Sequence, residues 1–189
     1  MLKKKGTSIR FGHLKNVINA GFDCQLILAG DGPTRPECER LAEELGVSGR
    51  VKFLGRVTMH EVPGLLHDAD IFVHHSITGS DGNKEGTTLA IGEAMAVGLP
   101  ILSTYNGGIP EMVVQGESGY LVSEKDVENY TKKWIELIKR KDQFESIGNF
   151  NRDRILNYFN MRKQNEILKE IYREVIFNFY GSHKEEVNK

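Results

Sequence analysis

The stretch that decides the fold is KEGTTLAIGEAMAVGLPILSTYNGGIPE, residues 84–111. It predicts a helix over residues 88–97, and the segment LPILST that follows predicts a buried strand over residues 99–104. Between the first and last glutamates of the stretch, Glu93 is the only charged residue. The positions three or four away from it on a helix are apolar, which predicts a buried face made by Leu89, Ala90, Ala96 and Val97. A buried carboxylate needs hydrogen-bond donors, which raises the question of what partner Glu93 meets.

Short apolar runs alternate with helical patterns through the first two thirds of the chain. This alternation predicts an α/β fold with a Rossmann-like, doubly wound parallel sheet. The predicted strands cover residues 25–30, 51–55, 70–75, 99–104 and 119–123, and the predicted helices cover residues 8–20, 35–46, 60–68 and 88–97. Such a sheet normally begins with a strand, whereas this sequence runs from MLKKKG directly into a helical pattern. We therefore expect the first strand to be missing.

Length and composition restrict the class of protein. The 189 residues fit one domain, with an α/β core over 1–125 and C-terminal helices over 126–189. Lys and Arg total 25 against 26 for Asp and Glu, so the charge balance does not indicate a nucleic-acid partner. Cys24 and Cys38 predict reduced thiols in a cytoplasmic protein. The apolar runs are too short to span a bilayer, so we expect at most peripheral membrane contact.

The start of the helix predicted over residues 88–97 is a candidate anion site. The backbone N–H groups of Thr87, Thr88 and Leu89 have no partners within the helix, and they form the positive end of its dipole. Such a terminus binds phosphate groups. A nucleoside diphosphate resting on it would leave its ribose hydroxyls near the next turn, where Glu93 could accept hydrogen bonds. A helix that carries one solvated glutamate remains the alternative.

The residues around this helix carry a family resemblance. Glu85 precedes the helix, Gly86 separates loop from helix, and Glu93 lies within the helix eight positions after Glu85. The segment EGTTLAIGEAMAVGLPILSTYNGGIPEMVVQGESGYLV resembles the signature of the retaining, nucleotide-sugar-dependent glycosyltransferases called group 1 or family 4. Further matches are the Lys5-Gly6 pair, LAGDGP (28–33), VKFLGRV (51–57), DADIFV (68–73) and YFNMRKQNEILKEIY in the tail, so nearly the whole chain is covered.

The resemblance implies a fold and a set of binding residues. The fold would be the C-terminal, donor-binding domain of the two-domain GT-B arrangement. By this resemblance, Glu85 holds hydroxyls of the donor sugar, Glu93 holds the ribose, and Lys5 contacts the diphosphate, with Glu85 and Lys5 as the catalytic pair. The start of the helix from Gly86 to Leu89 belongs to the same donor site. The resemblance places further donor contacts at Gly30, Asp31 and Gly32, with Arg56 and Val57 near the nucleobase.

The implied reaction transfers a sugar from a UDP- or GDP-sugar to a saccharide or lipid-linked acceptor, with retention of configuration and no metal. The insertion SITGSDGNKEG at residues 76–86 is most similar to members that build bacterial exopolysaccharides such as colanic acid. Family members carry an N-terminal acceptor domain and a strand ending in Gly-Arg shortly before the Lys-Gly pair. Neither precedes Lys5, so we expect a missing N-terminal half or a separate chain, and little transfer by this chain alone.

Other functions stay open beside this one. A non-catalytic nucleotide-sugar-binding fragment or partner subunit fits the truncated pattern. A nucleotide-sugar epimerase of related architecture fits less well, because we do not expect the glutamate pair in such an enzyme. Asp68 and Asp70 have the Asp-x-Asp form of metal-dependent glycosyltransferases of another fold, but here the apolar strand follows the pair, so we expect no metal. His74 and His75 end a predicted strand, either as substrate contacts or as strand-end side chains.

Overall fold

The computed structural model describes residues 4–86 and 88–186, with side chains from Phe11 to Phe179 apart from Thr87. Its strands are β1 (Leu26–Ala29), β2 (Val51–Gly55), β3 (Phe72–His74), β4 (Ile101–Thr104) and β5 (Gly119–Val122). Every pairing between them is parallel: β1 pairs with β2, and β4 lies between β3 and β5. The predicted parallel α/β fold is confirmed, and each predicted strand is present.

Helices connect the strands and form the C-terminal tail. They are α1 (Lys4–Asn19), α2 (Arg35–Glu44), α3 (Val62–His67), α4 (Leu89–Val97), α5 (Ile109–Met112), α6 (Val127–Lys139), α7 (Phe144–Tyr158) and α8 (Met161–Glu186), with 3-10 turns at Ser48–Arg50 and Lys141–Gln143. A proline in the first turn favours the start of α2, α3 and α5. Gly98 ends α4 in the left-handed conformation, with a φ of 96°.

The sheet is interrupted between β1 and β3. In the described part of the chain, β1 is hydrogen bonded to β2 alone, and β3 to β4 alone. In a common doubly wound strand order, the first strand of the sheet lies between the second and the fourth. The strands β1 and β3 occupy the places of that second and fourth strand, and α1 precedes them both. The interruption therefore lies where the expected first strand would belong.

A buried apolar core joins the two groups of strands. It contains side chains from β1, β2, β4, β5, α1 and α6, including Leu26, Leu28, Val51, Leu102, Val122, Leu14 and Trp134. A second buried cluster packs α4 against β4 through Ile91, Ala94, Met95 and Ile101. The two clusters fix α4 and the carboxyl ends of the strands relative to one another.

The long helix α8 presents a stripe of apolar side chains to solvent. These side chains are between 46% and 77% exposed, and they are Ile167, Leu168, Ile171, Tyr172, Val175, Ile176, Phe177 and Phe179. The segment lies within residues 126–189, for which the sequence predicts helices, and α8 is helical over Met161–Glu186. Among the described residues, no helix is both long enough and apolar enough to cross a membrane.

Candidate functional site

The loop between β3 and α4 is held against the turn that follows β4. The backbone N–H of Glu85 donates a hydrogen bond of 2.8 Å to Oδ1 of Asn106. The Glu85 carbonyl accepts a hydrogen bond of 3.1 Å from the N–H of Gly108. The Ser76 hydroxyl lies 3.3 Å from Oε1 of the Glu85 carboxylate. The half-buried Glu85 is thus fixed through both its main chain and its side chain.

Gly107 permits the close approach of these two segments. Its φ is +53°, and a Cβ at this position would overlap the carbonyl oxygen of Glu85. Any residue other than glycine would meet both the strain of a positive φ and this overlap. The glycine at position 107 is therefore required for the placement of Glu85.

A second carboxylate, that of Glu124, holds the beginning of the same loop. It accepts hydrogen bonds from the Thr78 N–H (2.8 Å), the Thr78 hydroxyl (2.7 Å) and Nδ2 of Asn106 (2.7 Å). Thr78, Asn106 and Glu124 follow the adjacent parallel strands β3, β4 and β5, whose carboxyl ends meet at one edge. Sequence reasoning missed Asn106 and Glu124. The available signal was that polar residues follow consecutive predicted parallel strands.

The charge of Glu124 favours one orientation of the Asn106 amide, and the Glu85 N–H, which can only donate, favours the same one. Partial burial raises the pKa of Glu124, but hydrogen bonds from Thr78 and Asn106 and the nearby Lys84 ammonium outweigh burial and leave the pKa lower than usual. An ionised carboxylate can only accept hydrogen bonds. It therefore directs Nδ2 of Asn106 toward itself and leaves Oδ1 to accept the hydrogen bond from Glu85.

The start of α4 carries a hydroxyl group without a protein partner. Thr88 is the N-cap residue, and its carbonyl accepts hydrogen bonds of 3.1 Å from the N–H groups of Ile91 and Gly92. Its Oγ1 is buried, yet it has no hydrogen-bond partner among the described residues. Buried hydroxyls normally have a partner. Since the first N–H groups of any helix are also unsatisfied, this terminus can bind a polar ligand.

The predicted burial of Glu93 is wrong. Its side chain is exposed, and that of Leu89, on the preceding turn of α4, is 79% exposed. The core face of α4 carries Ile91, Ala94 and Met95 instead. Each residue of a helix advances by about 100°, so Glu93 points about 200° away from Ile91. The carboxylate needs no protein partner, and its oxygens are accessible to a ligand.

The residues after β1 and β2 form a separate part of the candidate site. Gly30 has a φ of 126°, and its N–H donates a hydrogen bond of 2.7 Å to the last residue of β2. The N–H of Gly32 donates to the carboxylate of Asp31 over 2.9 Å. Arg56 is exposed and Val57 is half-buried directly after β2. No hydrogen bond between described residues joins this group to the β3–α4 loop.

Two other predicted contacts fall on residues of which little is described. Lys5 lies in α1, but its side chain is outside the described residues, as is the whole of Thr87. Their contacts with a diphosphate therefore stay predictions.

The Asp-x-Asp pair, Asp68 and Asp70, is exposed, and Asp70 forms a surface ion pair of 3.4 Å with Lys141.

His75 belongs to a buried ring cluster next to Glu124. Its ring centroid lies 5.4 Å from that of His13 and 4.7 Å from that of Tyr130, and its Nε2 lies 2.7 Å from the Glu124 carbonyl oxygen. Burial, with a smaller contribution from His75, lowers the pKa of His13 to about 3. The sequence leaves His75 either as a substrate contact or as a side chain that ends a strand. The burial of its ring favours the second interpretation. His13 was not a candidate on sequence grounds.

Comparison with known proteins identifies the family. The model of the family described as "Glycosyl transferases group 1" matches residues 2–154. The chain belongs to the group 1 glycosyltransferases. Over 176 residues it is 32% identical to WcaL of Salmonella typhimurium, a protein named as a colanic acid biosynthesis glycosyltransferase. That match covers 93% of this chain and 43% of WcaL, so this group 1 glycosyltransferase chain spans less than half of its relative.

Solved structures of glycosyltransferases share the fold. HepE of Anabaena, in complex with UDP-glucose, superposes with a TM-score of 0.76 at 23% identity, covering 92% of this chain and 46% of HepE. The C-terminal domain of LpcC, a group 1 family protein of Francisella tularensis, superposes with a TM-score of 0.72 at 24% identity, covering 85% of this chain and 83% of that one. The group 1 chain thus has the fold of a GT-B C-terminal domain.

Proposed function

We propose that this chain is the nucleotide-sugar-binding domain of a retaining glycosyltransferase that uses a UDP- or GDP-sugar. The arrangement at the start of α4 carries the proposal. The buried Thr88 hydroxyl lacks a partner among the described residues, Glu85 is fixed just before it, and the exposed Glu93 lies little more than one turn further on. One helix start therefore offers groups for a phosphate, a sugar and a ribose.

The diphosphate rests on the first turn of α4 in this proposal. The unpaired N–H groups and the helix dipole favour an anion there, and the Thr88 hydroxyl donates a further hydrogen bond to a phosphate oxygen. Lys5 adds a positive charge, as the family resemblance implies. These groups supply the positive charge that a metal ion supplies in other enzymes, and we propose that donor binding needs no metal.

The remaining donor contacts divide between the two glutamates and the loops after β1 and β2. The exposed carboxylate of Glu93 accepts hydrogen bonds from the ribose hydroxyls, and Glu85 accepts hydrogen bonds from the sugar. The loop Gly30–Gly32 lines the donor cleft, and Arg56 and Val57 lie near the nucleobase. These assignments follow the resemblance and agree with the exposure of Glu93 and Arg56.

The chemistry of transfer follows from this binding mode. As the bond between the sugar and the diphosphate breaks, negative charge builds on the leaving phosphate. Preorganised donors aimed at that phosphate stabilise the charge, and here they are the start of α4 and Lys5. Glu85 orients the sugar so that the acceptor hydroxyl attacks the face from which the phosphate leaves, and the configuration is retained.

The chain spans less than half of the length of WcaL, and transfer is an activity that we propose for the whole protein. We propose that a further domain or partner binds a saccharide or lipid-linked acceptor and that the product is a polysaccharide. The likeness of residues 76–86 to exopolysaccharide enzymes and the name of the relative WcaL support this acceptor class. The proposed location is the cytoplasm, with peripheral contact at the inner face of the plasma membrane.

Titration of the purified chain with UDP and with GDP tests the proposal. At least one nucleotide should bind, and in ¹H–¹⁵N spectra the largest shifts should lie at Thr88 and Leu89. Thr88→Val keeps the shape of the side chain and removes the hydroxyl, so it should weaken binding of the same nucleotide. Absence of binding, or shifts confined to α8, would overturn the proposal.

A further inference from the structure

The loop that carries Glu85 depends on polar anchors for its position. It joins β3 to α4 without regular secondary structure, and residues 80–84 are all exposed. Long loops of this kind are ordered by specific contacts to a rigid scaffold. The anchors of this loop lie at its two ends, at Thr78 and at Glu85.

Both anchors depend on the carboxylate of Glu124. At the first end it accepts two hydrogen bonds from Thr78, one from the main chain and one from the hydroxyl. At the other end it acts through Asn106, which is 2% exposed. Turned over by 180°, the Asn106 amide would place its oxygen against the carboxylate and its NH₂ group against the Glu85 N–H. Glu124, which accepts, and the Glu85 N–H, which donates, thereby select the same orientation of Asn106.

Loss of Glu124 leaves other contacts of Glu85 in place. The Gly108 N–H still donates to the Glu85 carbonyl, and Gly107 still permits the close approach of the two segments. The core clusters contain neither Glu124 nor Glu85. The change is therefore local: the end of the loop stays attached and the Ser76 hydroxyl still reaches the Glu85 carboxylate. The support that Thr78 and Asn106 give to the loop is weakened, so the direction of that carboxylate is less tightly fixed.

We propose that Glu124 is a positioning residue that aims the Glu85 carboxylate at the donor sugar. The inference rests on the proposed function, because it takes Glu85 as the sugar-binding group. Glu124 does not touch the nucleotide in this arrangement. Its contribution appears as recognition of the sugar portion of the donor, separate from the nucleotide affinity to which Glu93 and the start of α4 contribute.

The experiment compares affinities of the chain for UDP, UDP-glucose, GDP and GDP-mannose. The wild-type chain should bind the sugar nucleotide of one pair about fivefold more tightly than the matching diphosphate. Glu124→Ala should bring this ratio close to one and leave the affinity for the diphosphate unchanged. Glu128→Ala is the matched control, because Glu128 is an exposed glutamate of α6 whose partner is Lys132 on the surface. It should keep the wild-type ratio.

Two further measurements separate positioning from folding. Thr78→Val keeps the backbone hydrogen bond to Glu124 and removes the hydroxyl, so it should lower the ratio less than Glu124→Ala does. Hydrogen exchange of residues 76–86 should accelerate in Glu124→Ala, while the amides of β4 stay protected. If Glu124→Ala unfolds the chain, the ratio in Thr78→Val decides, and an unchanged ratio there overturns the inference.

The outcomes distinguish this inference from the proposed function. The role of Glu124 is overturned if the wild-type chain binds a diphosphate and its sugar nucleotide equally well. It is also overturned if the ratio of these two affinities is the same in the wild type and in Glu124→Ala. Both outcomes leave nucleotide binding intact. Binding of none of the four compounds by the wild type overturns the proposed function, and the inference about Glu124 is then also wrong.

Discussion

The ring of His13 lies 4.4 Å from the ring of Tyr130, with 24° between their planes, in a site closed to solvent. Nδ1 of His13 is 3.0 Å from the Thr131 hydroxyl, and that hydroxyl donates to the Val127 carbonyl. Nδ1 therefore carries the proton of the neutral ring, and Nε2 has no hydrogen-bond partner among the described residues. A second proton on Nε2 would create a buried charge without compensation.

The free energy of unfolding should fall on acidification because of His13. Its pKa is about 3 in the folded state against 6.5 for a free histidine, so between these values the unfolded state binds more protons. Stability should thus decrease by about 1.4 kcal/mol per pH unit as the pH falls below about 6. Urea unfolding from pH 7 to pH 4 measures this slope. His13→Gln should flatten it, exposed His60→Gln should not, and equal slopes would contradict the prediction.

Gly107→Ala should destabilise the fold and displace Glu85. The φ of +53° alone costs about 1–3 kcal/mol for a residue other than glycine. The overlap of the new Cβ with the Glu85 carbonyl oxygen adds to this cost. Gly116→Ala is the control, because Gly116 also has a positive φ, of 85°, but open space around it. Thermal unfolding of both variants measures the difference. Equal losses of stability in the two variants would show that the close approach of Gly107 to Glu85 does not contribute to the cost.

Glu93→Gln should weaken nucleotide binding without a change in folding stability. A charge-assisted hydrogen bond to the ribose is worth about 1–3 kcal/mol, whereas an exposed side chain contributes less than about 0.5 kcal/mol to folding. Calorimetry with UDP and GDP gives the first quantity, and thermal unfolding gives the second. Glu117→Gln, at an exposed glutamate on the turn before β5, is the control. Unchanged affinity in Glu93→Gln would leave Glu93 as a solvated glutamate.

Removal of divalent metal ions should leave nucleotide affinity unchanged. The proposal assigns the positive charge at the diphosphate to Lys5 and to the start of α4. Parallel titrations with the same nucleotide in EDTA and in magnesium chloride make the comparison. A loss of affinity beyond about tenfold in EDTA, equal to about 1.4 kcal/mol, would require a metal in the binding mode.

The apolar stripe of α8 should cause self-association or binding to lipid. Its side chains from Ile167 to Phe179 are exposed, and apolar patches of this kind favour contact with a partner or a membrane surface. The double variant Ile171→Glu with Val175→Glu should reduce both effects. Arg173→Glu is the control, because Arg173 lies on the opposite side of α8 from Ile171 and Val175 and this variant changes the net charge by the same amount. Sedimentation velocity and flotation with anionic liposomes provide the measurements. A wild-type chain that stays monomeric and ignores liposomes would disagree with this expectation.

The order of helices and strands could be predicted because each element has a clear pattern of apolar residues in its own segment of sequence. The strand Leu26–Ala29 is a short apolar run that ends at a glycine, and the tail repeats apolar residues at helical spacing. Helix α4 was located correctly, but its orientation was not. Nearly every position of LAIGEAMAV is apolar or small, so the pattern does not distinguish the core face of Ile91 from the exposed face of Glu93.

The anchors of the β3–α4 loop could not be predicted from local sequence. Asn106 and Glu124 are 18 positions apart, and they meet because β4 and β5 are neighbours in the sheet. Neither residue type is unusual after a strand, and the Asn-Gly-Gly segment is equally typical of an ordinary turn. The contact depends on strand adjacency and on the path of the loop, which the spacing of residues along the chain does not specify.

The interruption of the sheet leaves two hydrogen-bonded groups of strands in the described part of the chain. Within the described part of the chain, β1 and β2 form one hydrogen-bonded ladder, and β3, β4 and β5 form another. No ladder between described residues joins β1 to β3, and the cluster that contains Leu28 and Val122 packs the two groups together. Apolar contacts resist sliding less than a continuous ladder does, so subglobal opening should begin along the line between β1 and β3. Each ladder then moves as a stiff unit, and the boundary between the two ladders is the part of the domain that deforms most easily.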